Sequence, residues 1–160
     1  MIGLQNLGNT CYLNSALQLI LTNKDFIEYF TRTDFSEDNL NKIKSFVSAY
    51  QKSNNSIAPS DIVNLVSKRK KIFGGSRQND SPEVIIFLFD IIEETLKKQK
   101  KENILDNLYK IDVESIIKCK AMTCLTLSKS IEKNYFLILD IPNQDNLELD
   151  DFKPSLNSYA

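Results

Sequence analysis

The chain has 160 residues, 42% of them hydrophobic, and balances 20 Lys and Arg against 21 Asp and Glu for a net charge of −1. That is one domain's worth of polypeptide with enough apolar material for a core. Near-neutrality excludes global steering toward nucleic acid or an anionic membrane, and no apolar run approaches the ~20 residues of a membrane span.

In chain order, the first 21 residues carry the strongest pattern. Gly8 permits an unusual backbone angle, and Asn9 and Thr10 are good helix caps. Leu13, Ala16, Leu17 and Ile20 then share one helical face. Cys11 is expected at, or one step inside, a helix N-terminus. The unpaired N–H groups and positive dipole end there favour a negatively charged sulfur, the nucleophilic form of cysteine. Asn6, five residues upstream, is placed to offer an amide donor to a developing oxyanion.

Asp25 is a candidate cap for a short aromatic segment, Phe26 to Phe30, and 31–36 reads as a loop. Ser36 opens a helix with Leu40, Ile43, Val47 and Tyr50 on one face, and the polar stretch 51–56 reads as a turn. Pro59-Ser60-Asp61 is a second start signal, followed by Ile62, Leu65 and Val66. The basic run Lys68 to Lys71 closes that helix, where cations suit the dipole; it is expected to be a solvated helix end.

Gly74 and Gly75 make a turn. Asp80 or Ser81 then caps a helix from about Pro82 to Lys98, with Ile85, Leu88, Phe89, Ile92 and Leu96 facing a core. Val84, Phe87 and Ile91 widen that face. A linker containing Leu105 and Leu108 leads to β-like stretches at 111–119, 123–128 and Tyr135 to Leu139, the last ended by Pro142. The expected fold class is therefore α+β: helices over about 1–110, then antiparallel strands over about 111–160.

Two stretches resemble a known family. Gly3-Leu4-x-Asn6-x-Gly8-Asn9-Thr10-Cys11-Tyr12-x-Asn14-Ser15-x-x-Gln18 is similar to the cysteine box of the ubiquitin-specific proteases. These are papain-like cysteine peptidases that cut after the C-terminal glycine of ubiquitin. Gln78-Asn-Asp80-Ser-Pro-Glu83 resembles the family's Gln-Gln-Asp-Ala-His-Glu-Phe box; Gln78, Asp80 and Glu83 match, while Asn79, Ser81, Pro82 and Val84 depart. The resemblance implies Cys11 as nucleophile, Asn6 as oxyanion-hole side chain, and Gln78 and Asp80 as residues that hold the extended ubiquitin tail. It implies a helical thumb with the first palm or finger strands of a papain-like domain, an incomplete one. Ubiquitin or ubiquitinated proteins would be the partners, with no cofactor, no nucleic acid and no membrane.

Against that pattern stands one count: the sequence has no histidine. The family's imidazole takes the thiol proton and returns it to the leaving amine. Here it would have to come from a C-terminal portion beyond these residues; the alternative is an inactive ubiquitin-binding remnant. Cys119 and Cys124 correspond to strand positions where the family often carries zinc-binding cysteine pairs. Their spacing departs from Cys-x-x-Cys and no second pair exists, so no metal is expected. Three cysteines so placed do not make a disulfide framework, and a reducing intracellular compartment, cytoplasm or nucleus, is expected.

Overall fold

The structure, a computed structural model, describes residues 2–74, 77–119 and 126–137. Six helices precede a two-stranded hairpin in these residues: α1 (Cys11–Ile20), α2 (Lys24–Arg32), α3 (Asp38–Lys52), α4 (Ser60–Arg69), α5 (Ser81–Lys98), α6 (Ile104–Leu108), then β1 (Ile111–Lys118) and β2 (Leu127–Asn134). A 3-10 turn, Lys71–Gly74, links α4 to the loop before α5. The chain divides into two compact units, one ending at Leu108 and one starting at Tyr109.

The first unit is built around α5. This helix lies against α1, α3 and α4, which is why its apolar face is so wide. Val84, Ile85, Leu88, Phe89, Ile91, Ile92 and Leu96 are all buried on it, each burial contributing about 1.5–3 kcal/mol. Phe87 is half-buried rather than in the core. Thr95 sits fully inside because its hydroxyl donates to the Ile91 carbonyl at 2.6 Å, so no polar group is left unmet. The α1 stripe of Leu13, Ala16, Leu17 and Ile20 is buried as its spacing predicts.

A second part of the core is aromatic. Phe26 and Phe30 lie along one face of α2 with their rings tilted at 37° and centroids 4.6 Å apart, and Phe35 closes on Phe30 at 5.3 Å. The cap of α2 differs from expectation. Asn23, not Asp25, accepts the N–H groups of Asp25 and Phe26, because a side chain inside the first turn points away from the amides it would need to reach. The helix also runs on to Arg32, and α3 runs on to Lys52, past the turn expected there.

Charged pairs lace the outside. In the basic run at the end of α4, Arg69 pairs with Glu94 at 2.7 Å and Lys70 with Glu83 at 2.6 Å. The Lys70 ammonium also lies 5.1 Å from the Phe73 ring centre and 5.7 Å from that of Phe87. Hydrogen bonds from Lys98 and then Arg69 hold the Glu94 carboxyl down at about 2.

The described residues of the second unit form a hairpin. β1 and β2 pair antiparallel from Ile111 opposite Asn134 to Lys118 opposite Leu127. The second strand, at 127–134, overlaps the end of the stretch at 123–128 where the sequence suggested a strand, and 123–125 fall outside the described residues. The described part of that strand alternates from Ser128 to Glu132, in register with β1. Tyr135, Phe136 and Leu137 lie outside any strand, and 138–142 fall outside the described residues. Helices followed by a small antiparallel sheet make the α+β class expected.

Candidate active site

Cys11 is the first residue of α1 and is exposed to solvent. The loop before it is shaped by two left-handed residues, Gly8 at φ 92° and Asn9 at φ 48°. A Cβ on Gly8 would meet nothing within 4 Å, so the glycine serves the backbone angle and not a close approach. Asn tolerates the same region better than most side chains.

Asn6 closes the loop on itself. Its Oδ1 accepts from Gly8 N at 3.2 Å, Thr10 N at 3.1 Å and the Thr10 hydroxyl at 3.0 Å. Thr10 is the cap residue of α1 by position, yet its side chain makes no cap bond to the helix. Its oxygen accepts from Leu7 N at 3.0 Å instead, so the hydroxyl serves the loop and not the helix end.

The strand-like start of the chain is pinned on both sides. Gln5 N donates to the Ile57 carbonyl at 2.8 Å, and Ile57 N to the Gly3 carbonyl at 3.1 Å. From α1, Asn14 Nδ2 donates to the Gln5 carbonyl at 3.1 Å and Gln18 Nε2 to the Ile2 carbonyl at 2.7 Å. The Tyr50 hydroxyl holds Gln18 in turn, at 2.9 Å. Asn14 and Gln18 thus fix the backbone next to Asn6. The motif contained both residues; their partners, 9 and 16 residues away, carry no local signal.

The second box meets the first at the N-terminus of α5. The Ser81 hydroxyl donates to the carbonyl of Tyr12, the residue after Cys11, at 3.0 Å. The Tyr12 hydroxyl donates to the Phe73 carbonyl at 3.0 Å, and the two rings stack at 6.1 Å. Burial raises the Tyr12 hydroxyl above its usual range, against a hydrogen bond with Asn79 that lowers it. Asn79 Nδ2 also donates to the carbonyls of Ile72 and Arg77 at 3.2 Å, bracing the loop that carries Gln78 and Asp80. Both of those residues are exposed, and Asp80 stands at the cap position of α5 without a side-chain cap bond. Glu83, the third matching residue, is engaged by Lys70.

Cys119 follows β1 in the second unit, its N–H donating to the Thr126 carbonyl at 3.2 Å. Cys124 lies outside the described residues. Among the described residues, no three Cys, His, Asp or Glu side chains converge as a metal site would require.

This arrangement has counterparts among known proteins. The ubiquitin carboxyl-terminal hydrolase family model matches residues 2–131. Ubiquitin carboxyl-terminal hydrolase 9 of Arabidopsis thaliana is 33% identical over 114 residues, 64% of this chain and 12% of that protein. Ubiquitin carboxyl-terminal hydrolase 1 of the same plant is 29% identical over 163 aligned residues, 88% of this chain and 15% of its own length. Ubiquitin carboxyl-terminal hydrolase 4 of Mus musculus is 31% identical over 119 residues, covering 66% of this chain and 12% of the mouse protein. The chain belongs to the ubiquitin carboxyl-terminal hydrolase family, and its α+β architecture is consistent with an incomplete papain-like domain of that family. It spans only 12–15% of the length of these relatives.

Proposed function

We propose that the chain is the cysteine-bearing part of a thiol-dependent deubiquitinase, which cleaves the peptide or isopeptide bond after the C-terminal glycine of ubiquitin. The observation that supports this most is the junction of the two boxes. An exposed cysteine at a helix start lies one residue from the carbonyl to which Ser81, beside Asp80, is bonded.

In this reading the Cys11 sulfur attacks the carbonyl carbon of ubiquitin's last glycine. The carbonyl pair moves onto oxygen, where the Asn6 amide and backbone N–H groups near Cys11 receive it. Collapse expels the leaving amine, and water hydrolyses the thioester. Gln78 and Asp80 hold the extended tail. None of these 160 residues is histidine, so this reading takes the proton through an imidazole, oriented by a carboxylate or amide, that another segment would have to supply.

The same absence motivates the second reading, a remnant that binds ubiquitin without cutting it. Reaction with ubiquitin bearing a C-terminal electrophile, followed by intact mass, separates the two. The first reading expects a single adduct on the chain and none on Cys11→Ala. A folded chain that binds ubiquitin but forms no adduct supports the remnant. A folded chain with neither adduct nor binding removes ubiquitin from both.

A further inference from the structure

We propose that Thr10 is a positioning residue for Asn6: its buried hydroxyl, with two backbone amides, turns the Asn6 side chain so that the NH2 group is what faces a substrate carbonyl. The proposal rests on the reading of Cys11 as the nucleophile for a ubiquitin tail and adds to it the device that orients the oxyanion donor.

The orientation of an Asn amide is usually a matter of inference, because its oxygen and nitrogen have nearly the same shape. Here the neighbours decide it chemically. Gly8 N and Thr10 N are backbone amides, which can only donate, so the atom 3.2 and 3.1 Å from them must be the oxygen. The Thr10 hydroxyl has one hydrogen. Its oxygen already accepts from Leu7 N at 3.0 Å, so that hydrogen is free to donate along the 3.0 Å contact to Asn6 Oδ1. Three donors converge on one acceptor, and only the two Nδ2 hydrogens remain to meet a ligand.

A flip of the amide would set its hydrogens against the two backbone N–H groups and take the acceptor away from the Thr10 hydroxyl. Thr10 is 6% exposed, so its N–H and hydroxyl have little water to fall back on. The hydroxyl is the only one of the three donors that a side-chain substitution removes without touching the backbone, which makes Thr10 the residue through which the device can be tested. The left-handed angles at Gly8 and Asn9 fold the loop back far enough for residues 8 and 10 to reach the same oxygen.

The test compares ligands that differ only at the reacting carbon. Ubiquitin aldehyde adds the Cys11 sulfur to its carbonyl carbon: the C–S bond forms, the π pair moves onto oxygen, and the thiol proton reaches that oxygen through water. The product places an oxygen where an oxyanion would develop. Ubiquitin with its natural carboxylate binds the same groove without that step. Thr10→Val keeps shape and removes the hydroxyl; Thr10→Ser keeps the hydroxyl.

For the 160-residue chain, Thr10→Val is expected to weaken aldehyde capture by about tenfold or more, a fraction of the effect of deleting an oxyanion donor outright. Affinity for carboxylate ubiquitin and the iodoacetamide rate at Cys11 should stay within about twofold, and Thr10→Ser should restore capture. Equal losses for both ubiquitin ligands, or no loss for either, overturn the proposal while leaving the ubiquitin reading intact. No aldehyde adduct with the wild-type chain overturns the reading of Cys11 as nucleophile for a ubiquitin tail, and the substrate-facing role of Asn6 with it. The amide geometry has its own readout: couplings across the hydrogen bonds from the Gly8 and Thr10 amides to the Asn6 side-chain carbonyl carbon, seen by NMR. Their absence in the wild type sinks the orientation argument directly.

Discussion

Ser81 does at the scale of one hydroxyl what the rest of α5 does with a whole face. A serine at a helix start ordinarily serves its own helix as a cap. Here its hydroxyl leaves that helix and donates to the Tyr12 carbonyl, 69 residues earlier in the chain. A partly buried bond of this kind contributes about 1 kcal/mol. Ser81→Ala should therefore lower the urea midpoint by about that amount of stability without changing the slope of the transition. A shift indistinguishable from zero would mean that apolar packing alone joins α1 to α5. The contrast with Cys11 and Asn6 shows what a sequence makes legible at this scale. Their positions follow from a local pattern: a glycine, two cap residues and an apolar stripe. The bonds of Ser81, Asn14 and Tyr12 join residues whose only relation is tertiary, so the sequence placed the side chains but not their partners.

At the scale of the element, the same rule decides which boundaries are readable. The helices α1 and α5 end where apolar periodicity ends, and both are legible. The five-residue α6 is too short to show a period and reads as a linker. The C-terminus of α5 carries a feature that composition alone conceals. Lys100 adopts φ 53°, and Lys101 N reaches back to the Leu96 carbonyl at 3.0 Å, a left-handed helix stop of the kind glycine usually fills. A lysine there bears the steric cost of its Cβ against the backbone, about 1 kcal/mol or somewhat more. Lys100→Gly should therefore raise stability by about 0.5–1 kcal/mol, after the extra freedom glycine gives the unfolded chain is subtracted. Thermal melts of the two proteins at equal concentration would show it. A lower melting temperature for the glycine variant would mean that Lys100 has a contact worth more than the strain it relieves.

Over the whole molecule, stability is unevenly spread. The unit that ends at Leu108 contains 26 of the 27 buried hydrophobic residues among those described; Val113 is the other, and it alone lies in the hairpin unit. On β1 and β2, Ile117 is 71% exposed, Ile131 68% and Leu127 51%. An isolated two-stranded hairpin is marginal in water unless a third strand or a packed face supports it. The ion pair of Lys129 with Glu114 at 3.2 Å, with both side chains about half exposed, adds little. The hairpin should therefore open locally while the helical unit stays folded. Amides of β1 and β2 are expected to exchange with solvent at least about tenfold faster, relative to their intrinsic rates, than those of Leu88 to Ile92 in α5, a gap of about 1.4 kcal/mol or more in opening free energy. Added denaturant should speed exchange of the α5 amides, which open only by global unfolding, and leave the hairpin amides nearly unaffected, because a local opening exposes little new surface. Hairpin amides that instead track α5 in both protection and denaturant response would show one cooperative unit. The exposed isoleucines would then have to be held by interactions other than their own burial. Among the described residues the two strands have no further strand beside them, and paired strands with bare apolar side chains are also where association begins. If local opening is the rule, protection in the hairpin should rise with protein concentration while protection in α5 does not.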